Sequence, residues 1–236
     1  MASNGTQNGD RKAESLYHVL FSVSHIQKDV NSEVEKVRIC GTYTTLPAAK
    51  AAAHKTLFEA GYEKEWFTEF DTKHEEFVAH GIKRRTGLCV LAKASDGTVF
   101  RVSVATTPNV QGFEGSAEDH KVHQDLYHVV QTNVLYSEDD SGEARETNVE
   151  GSFTSYEQAR QYASQVLLAP EDDVTKESFA EYDEAEAGEK DCGYGENVVV
   201  HAVGQNGENI LVSVLKGQEM ESVRLAEAAM RIRSFN

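Results

Sequence analysis

Leu16-Tyr17-His18-Val19 and Leu126-Tyr127-His128-Val129 are the same four residues, set 110 positions apart (16 to 126). The same shift carries Gly41-Thr42-Tyr43-Thr44 onto Gly151-Ser152-Phe153-Thr154 and Val102-Ser103-Val104 onto Val212-Ser213-Val214. Ala94-Ser95-Asp96-Gly97 falls on Gly204-Gln205-Asn206-Gly207. Lys64-Glu65-Trp66-Phe67-Thr68-Glu69-Phe70-Asp71 returns two places late, as Lys176-Glu177-Ser178-Phe179-Ala180-Glu181-Tyr182-Asp183. Matches in one unbroken order read as an internal duplication. They also divide the residues: one kept in both copies serves the shared framework before it serves a single site.

Each copy opens with an alternating segment. Tyr17, Val19, Phe21 and Val23 fall on one side of a strand, with Leu16, His18, Leu20 and Ser22 on the other. A polar loop, Ser24 to Glu33, leads to a second strand in which Val37, Ile39 and Tyr43 share a phase. The second copy repeats this with Tyr127 to Tyr136, an acidic loop at Ser137 to Glu143, and a strand ending at Phe153. A helix follows directly. Thr44 or Thr45 caps it, Pro47 sits in its first turn, and Gly61 ends it. Its face Leu46, Ala49, Ala53, Leu57 matches Tyr156, Ala159, Ala163, Leu167. There Thr154-Ser155-Tyr156-Glu157 has the spacing of a capping box, and Pro170 is the stop.

The Lys-Glu-x-Phe block is expected to be a short second helix, because Phe67/Phe70 and Phe179/Tyr182 are spaced i, i+3. Two strands close each copy, Leu88 to Ala94 with Val99 to Ala105, and Val198 to Val203 with Ile210 to Leu215. Asp96-Gly97 and Asn206-Gly207 join them and predict type I′ turns, with φ > 0 at both central residues. The expected fold is α+β. It consists of two tandem ββα(α)ββ repeats, antiparallel sheets with helices on one face, forming an internal pseudo-dimer. The boundaries are a tail at 1–14, repeat 1 at 15–106, a linker at 107–124, repeat 2 at 125–217 and a C-terminal segment at 218–236. In the last, Met220, Val223, Ala226 and Met230 form one apolar stripe, so a helix should close the second repeat or dock across both.

Charge narrows the partners. Residues 1–120 carry 14 Lys or Arg against 16 Asp or Glu, and residues 121–236 carry 9 against 23, so the halves bear −2 and −14. Such a field opposes phosphate backbones and anionic membrane surfaces, so neither nucleic acid nor membrane is an expected partner. No apolar run reaches the ~20 residues of a bilayer span, and residues 1–10 have no signal-peptide core. The expected compartment is cytoplasmic, with the nucleus open. Cys40, Cys89 and Cys192 have no CxxC spacing and no counterpart in the other copy, which reads as free thiols rather than a disulfide or zinc framework. No metal and no cofactor is expected. Lys83-Arg84-Arg85 is the one basic cluster and is too short for a nucleic-acid claim.

His18 and His128 are the only histidines kept in both copies, and each lies on the strand face away from the helix. A histidine there can be a base, a ligand or a pH switch, but a framework histidine bonded to its neighbours is the plainer reading. The kept acids Glu69/Asp71 and Glu181/Asp183 read as a solvated face. Strict alternation puts Arg38, Cys40, Arg101 and Ser103 on the face of His18, and Asn148, Glu150, Leu211 and Ser213 on that of His128. His18, Arg38 and Arg101 would then converge on an acidic ligand, with His128 and Glu150 in the unlike second copy. Two functions follow. The favoured one is a non-enzymatic binding or protein-interaction module, since no kept nucleophile–base set, metal spacing or phosphate loop exists. The other is a small-molecule enzyme or ligand carrier using a groove between the repeats.

Overall fold

The computed structural model describes residues 13–24, 36–79, 87–135 and 144–234. Residues 1–12 of the expected tail at 1–14, all of the expected loop Ser24 to Glu33 beyond Ser24, the expected loop at 137–143, and Lys83-Arg84-Arg85 lie outside the described residues. Five strands and two helices come first: β1 Ser15–Ser24, β2 Lys36–Tyr43, α1 Leu46–Glu59, β3 Phe67–Asp71, α2 His74–Ala79, β4 Leu88–Ala94 and β5 Val99–Pro108. Then follow β6 Tyr127–Leu135, β7 Ala144–Phe153, α3 Tyr156–Ala163, β8 Glu181–Glu184, β9 Val198–Val203, β10 Asn209–Lys216 and α4 Met220–Ser234. They build two antiparallel five-stranded sheets, ordered β2-β1-β5-β4-β3 and β7-β6-β10-β9-β8. The fold is mixed α+β, and its two sheet-plus-helix halves have the same strand order, as a tandem repeat requires.

The sheets pack face to face. On the outer face of the first, Val19, Phe21, Val23, Phe100 and Val102 form a core with Ala49, Ala53 and Leu57 of α1. On the outer face of the second, Val129, Val200, Val212 and Val214 pack on Ala159 and Ala163 of α3. Between the sheets, Leu20 and Ile39 meet Val130 and Val149.

Several expectations change. The Lys-Glu-x-Phe block is not a helix but a 3-10 turn, Lys64–Trp66 or Lys176–Ser178, running into an edge strand. Each sheet therefore has a fifth strand. In β3 the register slips between Phe67 and Glu69. That extra residue lets Phe67 and Phe70 share a face in a strand, producing the i, i+3 spacing that a helix would also give. The turns at Asp96-Gly97 and Asn206-Gly207 are not type I′. Only the glycines have positive φ, 82° and 85°, among the residues of these turns. Gly97 N–H bonds the Ala94 carbonyl and Ala94 N–H bonds the Thr98 carbonyl, a type I turn closed by a glycine bulge. At α3 the cap is Ser155, whose side chain accepts from Gln158 N–H, one place later than the expected box. The helix ends at Ala163, well before Pro170.

The largest correction concerns phase. In β2 the register runs from Val19↔Gly41 to Leu20↔Ile39 and passes over Cys40. In β7 it runs from Val129↔Gly151 to Val130↔Val149 and passes over Glu150. A bulge therefore sits at the same place in both halves. It turns Val37 and Ile39 toward the other sheet, while Arg38, opposite Phe21, and Tyr43, opposite Tyr17, face the helices. The kept glycines belong to this device. A Cβ on Gly41 would lie 2.9 Å from the Tyr43 ring, and one on Gly151 would lie 3.0 Å from the Phe153 ring. Each aromatic folds over its glycine beside the bulge, which is why the motif is Gly-hydroxyl-aromatic in both copies.

Candidate functional site

The kept histidines meet where the sheets meet. His18 and His128 are fully buried, with ring centroids 5.2 Å apart and planes at 72°. Thr42 Oγ1 lies 3.0 Å from His18 Nδ1, and Thr107 Oγ1 lies 2.8 Å from Nε2. Ser152 Oγ, the counterpart of Thr42, lies 2.9 Å from His128 Nδ1. Hydroxyls can donate or accept, so each suits whichever nitrogen of a neutral ring it faces. Burial, and then the facing His128, holds the His18 pKa well below its ordinary value; burial alone takes His128 to about 3. Two uncharged imidazoles thus bridge the sheets, and this pair explains why the Leu-Tyr-His-Val motif is repeated. Gly217 stands where Thr107 stands in the first half, and its backbone borders a cavity of about 30 Å³ beside His128.

Arg38 and Arg101 do not converge. Arg101 pairs with Ser22 and faces the second sheet, whereas Arg38 pairs with Phe21 and faces the helices. The bulge at Cys40 reverses the phase that strict alternation would keep. Arg38 instead gives Nε and Nη2 to Glu227 Oε1 at 3.0 and 2.9 Å, and Nη1 to Gln218 Oε1 at 3.0 Å. Tyr62 Oη donates to the other Glu227 oxygen at 2.7 Å. Glu227 is wholly buried, and Val223 of the same helix joins the first core. Hence α4 docks on the first half, beside α1. The matching face of the second half is polar where α4 would lie: Gln131 for Phe21, Asn133 for Val23, Asn148 for Arg38 and Glu150 for Cys40. Glu150 is half-buried, and burial raises its pKa.

Among the described residues, three further openings lie along the seam. One, of about 70 Å³, has Ser22, Arg101, Arg145 and Thr147 on its wall. The second, about 290 Å³, is lined by the matching positions Thr132, Leu211 and Val37, with Lys36, Arg38 and Arg145. The third, about 560 Å³, lies between the edge of β7 and the first half, with Leu46, Lys50, Val104, Thr106, Val149 and Glu150 on its walls. Arg145 has no signal in the sequence, because it follows an acidic stretch and its counterpart, Glu35, has opposite charge. Glu227 was hidden for another reason: its partner Arg38 is 189 residues away.

A further cluster occurs only in the second half. His201 lies 3.5 Å from Asp183 Oδ2 and 2.9 Å from Asn209 Oδ1, under the ring of Tyr194 at 3.7 Å between centroids. Both its nitrogens are engaged and its face is covered, so this is a closed packing unit. Among the described residues no group of three or more His, Cys, Asp or Glu is gathered as a metal site, and no helix is long and apolar enough to cross a membrane.

The class that fold and site define is therefore a two-sheet α+β protein with an open seam and an embedded histidine pair. In comparisons with known proteins, no family model, no curated protein and no solved structure matches the chain.

Proposed function

We propose that this chain is a non-enzymatic protein-interaction module that binds its partner at the open seam groove beside β7. One observation carries this reading. The seam offers two matching positions, along β2 and along β7, and the described residues close only the first. After β10, Gln218 N–H reaches the Ile39 carbonyl of β2 at 2.8 Å. After β5, the chain turns away at Pro108, and Asn109 N–H bonds the Glu14 carbonyl at 2.9 Å. The groove along β7 is left with an apolar and polar wall of the kind that interfaces use. The buried histidines, with hydroxyls at both ring nitrogens of His18 and at Nδ1 of His128, support a framework role rather than catalysis.

A photo-reactive amino acid placed at Leu46, which is 36% exposed on the groove wall, tests this in the native cell. Adducts to a discrete protein from position 46, and none from the 89% exposed Val110, are the expected result. Equal adduct patterns from both positions, or none from position 46, would refute it.

A second reading, a carrier of a small anion, is favoured by Arg101 and Arg145 lining one opening. Calorimetric titration with inorganic phosphate, against the Arg101→Ala/Arg145→Ala variant, decides it. Heat that vanishes in the variant would support the carrier, and no heat in the parent would end it.

A further inference from the structure

We infer that the partner enters the β7 groove as an extended, basic peptide strand, pairing with β7 backbone to backbone as a sixth strand of the second sheet. The inference rests on the reading of the groove as the binding surface and specifies what fills it.

The argument begins with the outward backbone groups of the two edge strands. In β2 and just beyond it, three of them find partners outside the sheet. Ile39 C=O accepts from Gln218 N–H at 2.8 Å, Thr42 C=O accepts from Val122 N–H at 2.8 Å, and Thr44 N–H donates to His120 C=O at 2.9 Å. The pairing register is the same in the two halves, with Leu20↔Ile39 matching Val130↔Val149. Val149 C=O, Ser152 C=O and Thr154 N–H are therefore the matching outward groups. Among the described residues, none of these three is bonded by a backbone group from outside the sheet.

The sequence explains the difference. Position 108 matches position 218, and a proline stands there instead of glutamine. Proline has no N–H, so it cannot give Val149 the bond that Gln218 gives Ile39. β7 is thus a ten-residue edge strand whose matching edge, in the same molecule, is already covered by extended chain. Such an edge is a template for strand addition.

Charge selects the occupant. β7 carries Glu146, exposed, and Glu150, half-buried at the bulge. The half of the chain around them bears −14, from 9 Lys or Arg against 23 Asp or Glu over residues 121–236. A second copy pairing β7 to β7 would set these carboxylates against themselves, and like charges across a strand pair destabilise it. A strand with Lys or Arg in alternate positions places opposite charge there instead. Across the groove α1 presents Lys50, which repels cations on that side, with Leu46, Val104 and Thr106, so the occupant's Lys or Arg side chains belong on the side of Glu146 and Glu150 and its uncharged ones face α1.

The test uses the full chain at physiological salt, with three labelled octapeptide probes followed by fluorescence anisotropy. The first alternates Lys and Val. The second is the same peptide N-methylated at alternate residues, which keeps its charge but removes backbone donors. The third alternates Glu and Val. Binding of the first, at least tenfold weaker binding of the second, and no binding of the third are expected. Glu146→Lys/Glu150→Lys should weaken the first at least tenfold with the fold retained by circular dichroism. Hydrogen exchange should slow at the outward amides of β7, Thr147 and Val149.

Equal binding of the methylated peptide would overturn strand addition, and equal binding of the acidic peptide would overturn the charge rule. If no probe binds while the cross-linker at position 46 still captures a protein, the strand inference falls and the groove reading stands. If both are silent, both fall. A homodimer in solution that Glu150→Lys strengthens or leaves intact, with β7 amides protected in it, would make a second copy the occupant and refute the inference.

Discussion

Lowering the pH should loosen the joint between the two sheets, and the buried histidine pair sets the size of the effect. His18 faces Thr42 of β2, Thr107 of β5 and the ring of His128. His128 faces Ser152 of β7 and the backbone at Gly217. Charges at the cavity that His128 borders are already paired, Lys121 with Glu219 at 2.7 Å and Asp125 with Lys216 at 2.7 Å. A proton added to either ring thus meets no carboxylate, and a second imidazole stands opposite.

The folded-state pKa of His128 is about 3, against 6.5 for the free side chain. Between those values the unfolded chain binds more protons than the folded one, so stability rises with pH. The contribution is complete above about pH 6.5 and is lost as the pH falls toward the folded value. At about 1.4 kcal/mol per unit of pH, moving from pH 8 to pH 5 removes on the order of 2 kcal/mol through His128. His18 shifts in the same direction and adds to the loss.

The assay is urea denaturation at a series of pH values, comparing the parent with His18→Gln/His128→Gln. The variant is expected to be less stable at pH 8 and to show a flatter dependence between pH 8 and pH 5. The difference between the two curves isolates the histidines from the many surface carboxylates, whose protonation relieves repulsion and acts in the opposite sense. Parallel curves would refute the reasoning, because the acid sensitivity would then reside elsewhere.

Other perturbations have equally definite outcomes. Glu227→Ala leaves Arg38 buried without its carboxylate and should cost about 3–5 kcal/mol by urea denaturation; a cost under about 1 kcal/mol would mean that α4 is not anchored there. Gly207→Val places a β-branched residue at φ 85° with open space around its Cβ, so backbone strain alone should cost about 1–2 kcal/mol in thermal melts. Gly41→Ala drives a Cβ to 2.9 Å from the Tyr43 ring and should destabilise, whereas adding Tyr43→Ala should recover part of the loss. Gel-shift titration with duplex DNA and with RNA should show no complex at physiological salt, given −14 on residues 121–236; a micromolar, salt-sensitive complex would contradict it.

What could be read in advance divides along physical lines. β1 and β6 alternate without interruption, so the faces of Val19, Phe21, His18 and Leu20 followed from period alone. The helix face Ala49, Ala53, Leu57 did too, because a 3.6-residue period survives from one turn to the next. Wherever a bulge intervenes, period misleads. Phe67 and Phe70 imitated a helix because an extra residue in β3 brought them to one face. Strict alternation puts Arg38 and Cys40 on the wrong face for the same reason in β2. The Gly-hydroxyl-aromatic motif beside that bulge was a visible trace of it, since an aromatic two places beyond a glycine can cover it. The Asp-Gly and Asn-Gly dipeptides locate the turns but not their type, as Asp-Gly serves a three-residue loop as well as a two-residue one. The seam was legible in one respect only: the same histidine on the same face in both copies. Its grooves depend on residues far apart in the chain, such as Lys50 with Glu150, which no local pattern joins.

The differences between the halves are therefore more informative than the likenesses, because they occur together. Cys40 becomes Glu150, Arg38 becomes Asn148, Phe21 becomes Gln131 and Val23 becomes Asn133, all on the outer face against which α1 and α4 pack in the first half. Seating α4 beside α1 on this face needs Arg38 to hold Glu227, and a second half without such a helix must be polar at the matching positions to face water. The exit from the last strand follows the same division. Gly217-Gln218 carries the chain along β2 into α4, while Thr107-Pro108 gives His18 a hydroxyl and turns the chain away from β7. One exchange of exit thus accounts for a capped first half and an open second half. If it does, Pro108→Gln alone should not close the groove, because the chain beyond it is held by Asn109, whose side chain bonds the Ala13 and Phe113 carbonyls at 3.0 and 2.9 Å. Slow hydrogen exchange of the amide introduced at position 108 in that single variant, donating to the Val149 carbonyl as Gln218 N–H donates to Ile39, would show that the proline, rather than the whole turn, keeps the edge of β7 free.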